Sequence, residues 1–256
     1  MSAAERVQVI DRSVQLLDAL AREPMSLTEL SRFTGISKGT AFRLLAGLAQ
    51  HGLVIKDPVG TDYLLGPGLL RFVHGALSGL GAIATLGQGV LQELQRITGE
   101  TVALHAQSGV ERVCIGEIPS SQTIRYSSGV GSSAPLNVGA AGKILMSMLP
   151  PHALERALAS LRAAHPEIDV HELRNAVQQA TDLGRAVSHG ERVDGASAVS
   201  VAVPTHAVLL SLTVLGPSHR MTEQVISDLT PTVTSAAERL QKILEDQTIE
   251  SELTLT

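Results

Sequence analysis

Between Ser26 and Lys56 the chain gathers cations and hydroxyls suited to a polyanion. Lys38 and Arg43 follow Ser37 closely, with Gly39, Thr40 and Phe42 between them; Ser26 and Thr28 precede the group and Lys56 follows it. From Leu30 to Lys56 there are four basic residues (Arg32, Lys38, Arg43, Lys56) and no acidic one. Ammonium and guanidinium groups neutralise phosphates, and a guanidinium also matches the O6 and N7 edge of guanine. The set therefore suits backbone and base contacts in DNA. The formal charge of the whole chain, −5, argues the other way, but residues 1–80 hold eight basic and seven acidic groups and the remainder twelve and eighteen. Phosphate binding needs positive charge only where the backbone lies. A charge run is more often a solvated helix face; this one coincides with an element built to enter a groove.

That element is legible from Ser26 to Tyr63. Ser26-Leu27-Thr28-Glu29 reads as a capping box, with the serine hydroxyl accepting from the Glu29 amide and Glu29 reaching back. The helix it opens carries Leu27, Leu30 and Phe33 at helical spacing and stops at Thr34-Gly35. Ser37 caps a second helix, Lys38 to about His51, with Ala41, Leu44, Leu45 and Leu48 on one face and Lys38, Gly39, Phe42, Arg43 and Gln50 on the other. Two short helices joined by a tight glycine turn make a helix-turn-helix, whose second helix enters the major groove. Leu53–Lys56, the turn Asp57–Gly60 and Asp62–Leu65 then read as a two-stranded wing. The residues placed on the DNA side are Ser26, Thr28, Ser37, Lys38, Gly39, Thr40, Phe42, Arg43 and Lys56.

Other chemistry is suggested and mostly fails. Gly129-x-Gly131 follows a strand, but Ala134 stands where a dinucleotide loop has its third glycine. His171-Glu172 lacks the second histidine of a zinc-peptidase helix. Nine histidines are spread without ligand spacing, so neither a metal nor a cofactor is expected. Cys114, the single cysteine, reads as core rather than nucleophile; alone it excludes an internal disulfide and suits a reducing cytosol. No catalytic residues are expected.

A length of 256 residues makes two domains the natural prior, and a hydrophobic fraction of 44% is ample for two cores. With three Phe, two Tyr and no Trp, packing must rest on Leu, Val, Ile and Ala. No signal-peptide core and no apolar run of about 20 residues is found, which predicts a cytoplasmic protein without a membrane partner.

Val9 to Ala21 is expected as a first helix with Val9, Val14, Leu17 and Leu20 on its inner stripe. Leu69 to Leu80 reads as a linker helix whose stripe Leu69, Leu70, Val73 and Leu77 lacks cover within its own domain, with a break near Gly79–Gly81. A further helix spans about Ala82 to Thr98. From Glu100 the period becomes two: strands at Thr101–Ala106, Glu111–Gly116 and Gln122–Tyr126, then, after helices at Val138–Leu149, His152–Leu161 and Val170–Gly184, strands near Arg185–Ser188, Ala196–Val203 and Val208–Leu215, and a last helix from Thr222 to Glu245. Strands bracketed by helices, without βαβ alternation, indicate an α+β domain on a largely antiparallel sheet.

Over nearly its whole length the chain resembles the IclR-type transcriptional regulators. The resemblance is carried by Leu27-Thr28-Glu29-Leu30, Arg43-Leu44-Leu45, Gly52-Leu53-Val54, Tyr63-x-Leu65-Gly66, Val130-Gly131-x-x-Ala134-Pro135-Leu136, Gly142-Lys143-x-Leu145, Gly190-Glu191 and Val214-Leu215-Gly216-Pro217. It implies a winged helix over residues 1–66, a linker helix over 67–81 and a profilin- or GAF-like effector-binding domain over 82–256, in proteins that dimerise through the DNA-binding half and often form tetramers. Their recognition helix usually begins with a Ser-Thr pair, then an aromatic or histidine, then Arg. Here Gly39 replaces a hydroxyl that could bind phosphate. Phe42 could contact a thymine methyl or pack on the wing.

The resemblance also places an effector pocket: Asn137, Gly139, Ala140 and Ala141 at a helix start, Ser188, Ala196 and Ala198 on two strands, and Thr213 and Leu215 on the last. Amides at a helix N-terminus favour a carboxylate. Relatives that bind small keto acids tend to carry acid, cysteine or serine at several of these places. The smaller, less polar lining here leaves more room and favours a larger carboxylate with an apolar or aromatic body over glyoxylate or pyruvate. His105 and Arg125, on strands bordering the site, are either structural or ligand contacts. The expectation is a ligand-responsive regulator of a catabolic operon, binding double-stranded palindromic operator DNA as a homodimer or tetramer. The alternatives are an enzyme of small organic acids bearing a DNA-binding arm, and a ligand-independent DNA-binding scaffold.

Overall fold

In the computed structural model, which describes residues 3–76, 80–205 and 208–253, the chain groups into two units, Met1–Gly79 and Leu80–Thr256. The first contains α1 (Ala3–Leu20), β1 (Met25–Ser26), α2 (Leu27–Thr34), α3 (Lys38–Gln50), β2 (Val54–Lys56), β3 (Asp62–Leu65), a 3-10 turn over Pro67–Leu69, and α4 (Leu70–Ala76). Ser26 caps α2 as a reciprocal box: its Oγ accepts from the Glu29 amide at 3.3 Å and its own amide donates to Glu29 Oε2 at 2.8 Å. The Ser26 hydroxyl, which donates to Glu29 Oε2 at 2.7 Å, and the Ser26 amide together hold the Glu29 carboxyl below its usual range. Gly35, at φ 70°, ends α2 in the left-handed conformation that glycine adopts freely.

The core of this unit is Leu16, Ala19 and Leu20 of α1 with Met25, Leu30, Ile36, Ala41, Leu45 and Val54. Of the stripe expected from the sequence, Leu17 and Leu20 pack in this core, whereas Val9 and Val14 are 41% and 48% exposed. Only the C-terminal half of the helix reaches α2 and α3, so the buried set is i, i+3, i+4 counted from Leu16. The wing strands pair antiparallel, Val54 with Leu65 and Lys56 with Tyr63. A third strand that the sequence did not suggest joins them, β1, pairing Met25 with Tyr63 and Ser26 with Asp62. At the wing exit a Cβ on Gly66 or Gly68 would fall 2.2 or 2.6 Å from the Gly52 carbonyl oxygen, so both positions require glycine. Leu77, and the expected break where it reaches Gly79, lie outside the described residues.

The second unit runs α5 (Ala82–Thr98), β4 (Thr101–Ser108), β5 (Glu111–Ile118), β6 (Ser133–Pro135), α6 (Gly139–Ser147), α7 (Pro151–Ala164), α8 (Val170–Leu183), β7 (Arg185–His189), β8 (Ala196–Val203), β9 (Leu210–Pro217) and α9 (Glu223–Leu253). Its six strands form one antiparallel sheet in the order β6-β5-β4-β9-β8-β7. The strand expected at Gln122–Tyr126 does not form. Backbone acceptors of that segment are taken by side chains instead: Thr101 Oγ1 donates to the Tyr126 carbonyl at 2.6 Å and Arg220 Nη2 to the Ile124 carbonyl at 2.9 Å.

Alternation along the strands separates two faces. Val102, Leu104 and Ala106 of β4, Val199, Val201 and Val203 of β8, and Leu210, Leu212 and Val214 of β9 join α5 and α9 in the larger core. The intervening residues face α6 and α8. There Ala140, Ile144, Ala180 and Ala186 pack with Ala198 and Ala202, small side chains that let a helix lie close to a sheet. No helix among the described residues is long and apolar enough to cross a membrane.

Candidate functional site

Two surfaces carry chemistry, one in each unit. In the first, α3 presents Lys38, Gly39, Phe42 and Arg43 to solvent while Ala41 and Leu45 are buried. Phe42 is 55% exposed, with no fixed place under the wing. Lys38, Arg43 and, on the wing, Lys56 are exposed and form no ion pair with a described acid. Thr28 is exposed on α2. The hydroxyls of Ser26, Ser37 and Thr40 serve the fold: Ser37 Oγ accepts from the Thr40 amide at 3.4 Å and donates to Thr40 Oγ1 at 3.0 Å. The outward face of α3 thus offers two cations flanking a bare stretch at Gly39, where a Cβ would meet nothing within 4 Å.

In the second unit a cavity of about 100 Å³ opens between the sheet and the N-terminal end of α6. Nine residues singled out in the sequence line it: His105, Gly139, Ala140, Ala141, Ser188, Ala196, Ala198, Thr213 and Leu215. Two others stand off its wall. Arg125 is exposed, with Nη1 on the Gln122 carbonyl at 3.2 Å. Asn137 lies just before the helix with its Oδ1 buried and unpartnered. Thr213 Oγ1 sits 2.9 Å from Ser200 Oγ and 3.5 Å from His105 Nδ1. Burial, then the charges of Arg112 and Arg192, push the His105 imidazole down to about pKa 3, so it is neutral at physiological pH.

The residue that sequence reasoning missed is Arg112, 5% exposed and on the cavity wall. Its Nη1 donates to the Pro135 carbonyl at 2.9 Å and the Val138 carbonyl at 2.6 Å, which holds the guanidinium against the start of α6. It forms no ion pair with a described acid. Burial, and secondarily Arg192, bring its pKa down to about 10, leaving it a cation at neutral pH. The side it faces is set by a register shift. Leu104 opposes Gly116, but His105 opposes Cys114, so Ile115 is an extra residue in β5. Directly opposed residues share a face. Cys114, opposite His105, and Arg112, opposite Gln107, therefore stand on the cavity side. One signal was present: a cation alternating with a cysteine read as core is itself destined for burial. Cys114 is buried, and burial pushes its thiol up to about 12, which leaves it no thiolate character at neutral pH.

The amide end of α6 is partly occupied. Glu191, from the turn after β7, accepts from the Gly139 amide at 2.9 Å through Oε2 and pairs with the Lys143 ammonium through Oε1. The Ala140 and Ala141 amides, in the first turn, have no partner within the helix. The site thus offers free amides, a buried guanidinium and a hydroxyl, Ser188, around a wall of alanines. Such a set can hold an anion with an apolar body.

Comparison with known proteins bears on both surfaces. Residues 9–58 match the family model described as the IclR helix-turn-helix domain, and residues 75–242 match that of the C-terminal part of the bacterial transcriptional regulator IclR. The HTH-type transcriptional regulator Rv1719 of Mycobacterium tuberculosis is 32% identical over 232 residues, covering 86% of this chain and 88% of that protein. The HTH-type transcriptional regulator KipR of Bacillus subtilis is 27% identical over 246 residues, covering 92% and 96%. Among solved structures, an IclR family transcriptional regulator from Brucella abortus has a TM-score of 0.74 at 23% identity, over 92% of each chain, a likeness of fold.

Proposed function

The chain belongs to the IclR family of DNA-binding bacterial transcriptional regulators, and on that premise we propose that it is a ligand-responsive regulator whose second unit senses a metabolite-sized organic carboxylate. The observation that carries the ligand class is Arg112. Its Nη1 is held by two carbonyls but it has no ion-pair partner among the described residues, an arrangement costly for a buried charge, and a ligand carboxylate seated between Nη2 of Arg112, Ser188 and the Ala140 and Ala141 amides would supply that partner. Ala196, Ala198 and Leu215 would border its apolar body. The volume, about 100 Å³, is well below the ~300–1,000 Å³ of sites that take drug-sized ligands, which supports a compact acid.

On the DNA side α3 would lie in the major groove with Arg43 reading a base edge and Lys38 and Lys56 holding phosphates. The protein would act as a dimer, or a pair of dimers, on a palindromic operator. An effector that binds two quaternary arrangements unequally would shift the spacing of the recognition helices, which must match DNA turns of about 34 Å.

The test is a thermal-shift screen of aliphatic and aromatic monocarboxylates and dicarboxylates, repeated on Ala198→Phe. The wild type should gain melting temperature with at least one carboxylate. Ala198→Phe should still bind DNA from the promoter region of the protein's own gene yet lose that gain. A stable Ala198→Phe protein that binds the acid as the wild type does would move the pocket elsewhere, and product formed from the acid would favour an enzyme.

A further inference from the structure

A second guanidinium faces the same cavity. Arg192, beside Glu191 in the turn between β7 and β8, is exposed at the mouth, where its Nη1 donates to Ser128 Oγ at 3.2 Å. Like Arg112, it forms no ion pair with a described acid. Glu191 is the one acid on the wall, and both its oxygens are engaged, one by the Lys143 ammonium and one by the Gly139 amide. Glu191 favours the Arg112 cation from a distance but pairs directly with Lys143. What lacks an ion-pair partner among the described residues is Arg112 at the inner end and Arg192 at the mouth, beside the partial positive charge of the α6 amides. The two arginines sense one another: the charge of Arg192 is among the causes that depress both Arg112 and His105. Apolar side chains, Val193, Ala196, Ala198 and Leu215, line the same cavity. Among the described residues no carboxylate forms an ion pair with either arginine, and a monoanion seated on Arg112 would leave Arg192 unanswered.

We propose, granting the carboxylate reading above, that the effector carries two acid groups on a short apolar spacer, the inner held by Arg112 and the outer by Arg192, and that Arg192 selects diacids over monoacids. The outer contact is the more exposed of the two. Its contribution therefore falls with ionic strength, whereas that of Arg112 is shielded from salt.

Titration calorimetry at fixed ionic strength tests this with glutarate, adipate and phthalate set against valerate, hexanoate and benzoate. In the wild type the best diacid should bind about tenfold or more tighter than its monoacid counterpart, as a charge-assisted contact implies. Arg192→Gln should bring that ratio near one, a change that a general loss of stability would not produce, and Arg192→Lys should restore part of it. Raising the salt should lower the ratio in the wild type alone. Equal binding of monoacid and diacid by the wild type, or a preference that survives Arg192→Gln, overturns the proposal while leaving the carboxylate reading intact. Binding of neither class removes both.

Discussion

The Arg112 guanidinium lies against the first residue of α6: its Nη2 is 3.2 Å from the point where a Cβ on Gly139 would stand. Gly139 also has φ +80°, a conformation that side chains make costly. Arg112 cannot easily yield, because two carbonyls hold its other terminal nitrogen. Gly139→Ala should therefore lower stability by about 1–2 kcal/mol from the backbone alone and weaken carboxylate binding as well. Chemical denaturation alongside calorimetry checks this; wild-type stability in the variant would show that the helix start can relax.

His105 supplies a pH dependence of defined sign. The folded protein keeps it neutral down to about pH 3, while the unfolded chain protonates it near the ordinary value of 6.5. Between those values the unfolded state binds more protons, so its contribution to stability is complete above 6.5 and is lost as pH falls toward 3. From pH 6.5 to 5 the loss should be roughly 2 kcal/mol at ~1.4 kcal/mol per pH unit. Denaturation of the wild type and His105→Gln at several pH values should show their difference shrinking on acidification; parallel curves would refute the buried neutral imidazole.

Gly39 is under no demand from the fold. It sits in the first turn of α3 with open space where a Cβ would point. Gly39→Ala should stabilise the protein by about 0.5–1 kcal/mol through helix propensity. If DNA backbone approaches there, the same change should weaken binding. Melting temperature and fluorescence anisotropy with a promoter duplex should move in opposite senses; a stabilised variant of unchanged affinity would free Gly39 of any DNA role.

Arg43 and Lys38 should fail differently. Arg43→Ala should cost ~1–3 kcal/mol on the cognate duplex if the guanidinium reads a guanine. Lys38→Ala should weaken cognate and random duplexes alike and reduce the salt slope by about 0.9 for one lost phosphate contact. Gel-shift titrations at several salt concentrations distinguish them, and unchanged affinity in both variants would reject α3 as the recognition helix.

Helix α4 leaves Leu70, Phe72 and Val73 67%, 56% and 47% exposed. Apolar side chains grouped so densely on one short helix are expected to be covered by another copy of the chain. Leu70→Asp or Val73→Asp should give a folded monomer with poor duplex affinity. Sedimentation that finds the wild type already monomeric at micromolar concentration would dismiss this.

Local devices were the readable part of the sequence. The Ser26 box, the Ser37 cap and the Gly35 stop each close within three or four residues, so residue types alone specify them. Strands β4, β5 and β8 were placed because alternation persists through them. The two-residue strand β1 was not, since its pairing with Tyr63 and Asp62 depends on chain far away in sequence. The segment at Gln122–Tyr126 has a strand's composition, but its carbonyls bind Thr101 and Arg220, partners that only the folded chain supplies. The cavity divides the same way. Its small wall residues could be named in advance, whereas Arg112 and Arg192, which set its charge, depend on a register shift and on the path of a turn.

That register shift has a consequence of parity. Were Ile115 paired with His105 and not an extra residue in β5, Arg112 would oppose Ser108 and stand beside Leu104 and Ala106, on the face packed by α5 and α9. Val113 would take its place toward the ligand. The sign of the field inside the cavity therefore rests on whether a count of residues is odd or even. A ladder that paired Ile115 with His105 would exchange a cationic receptor for a neutral one, and force a charge into the larger core, without a single change in the sequence.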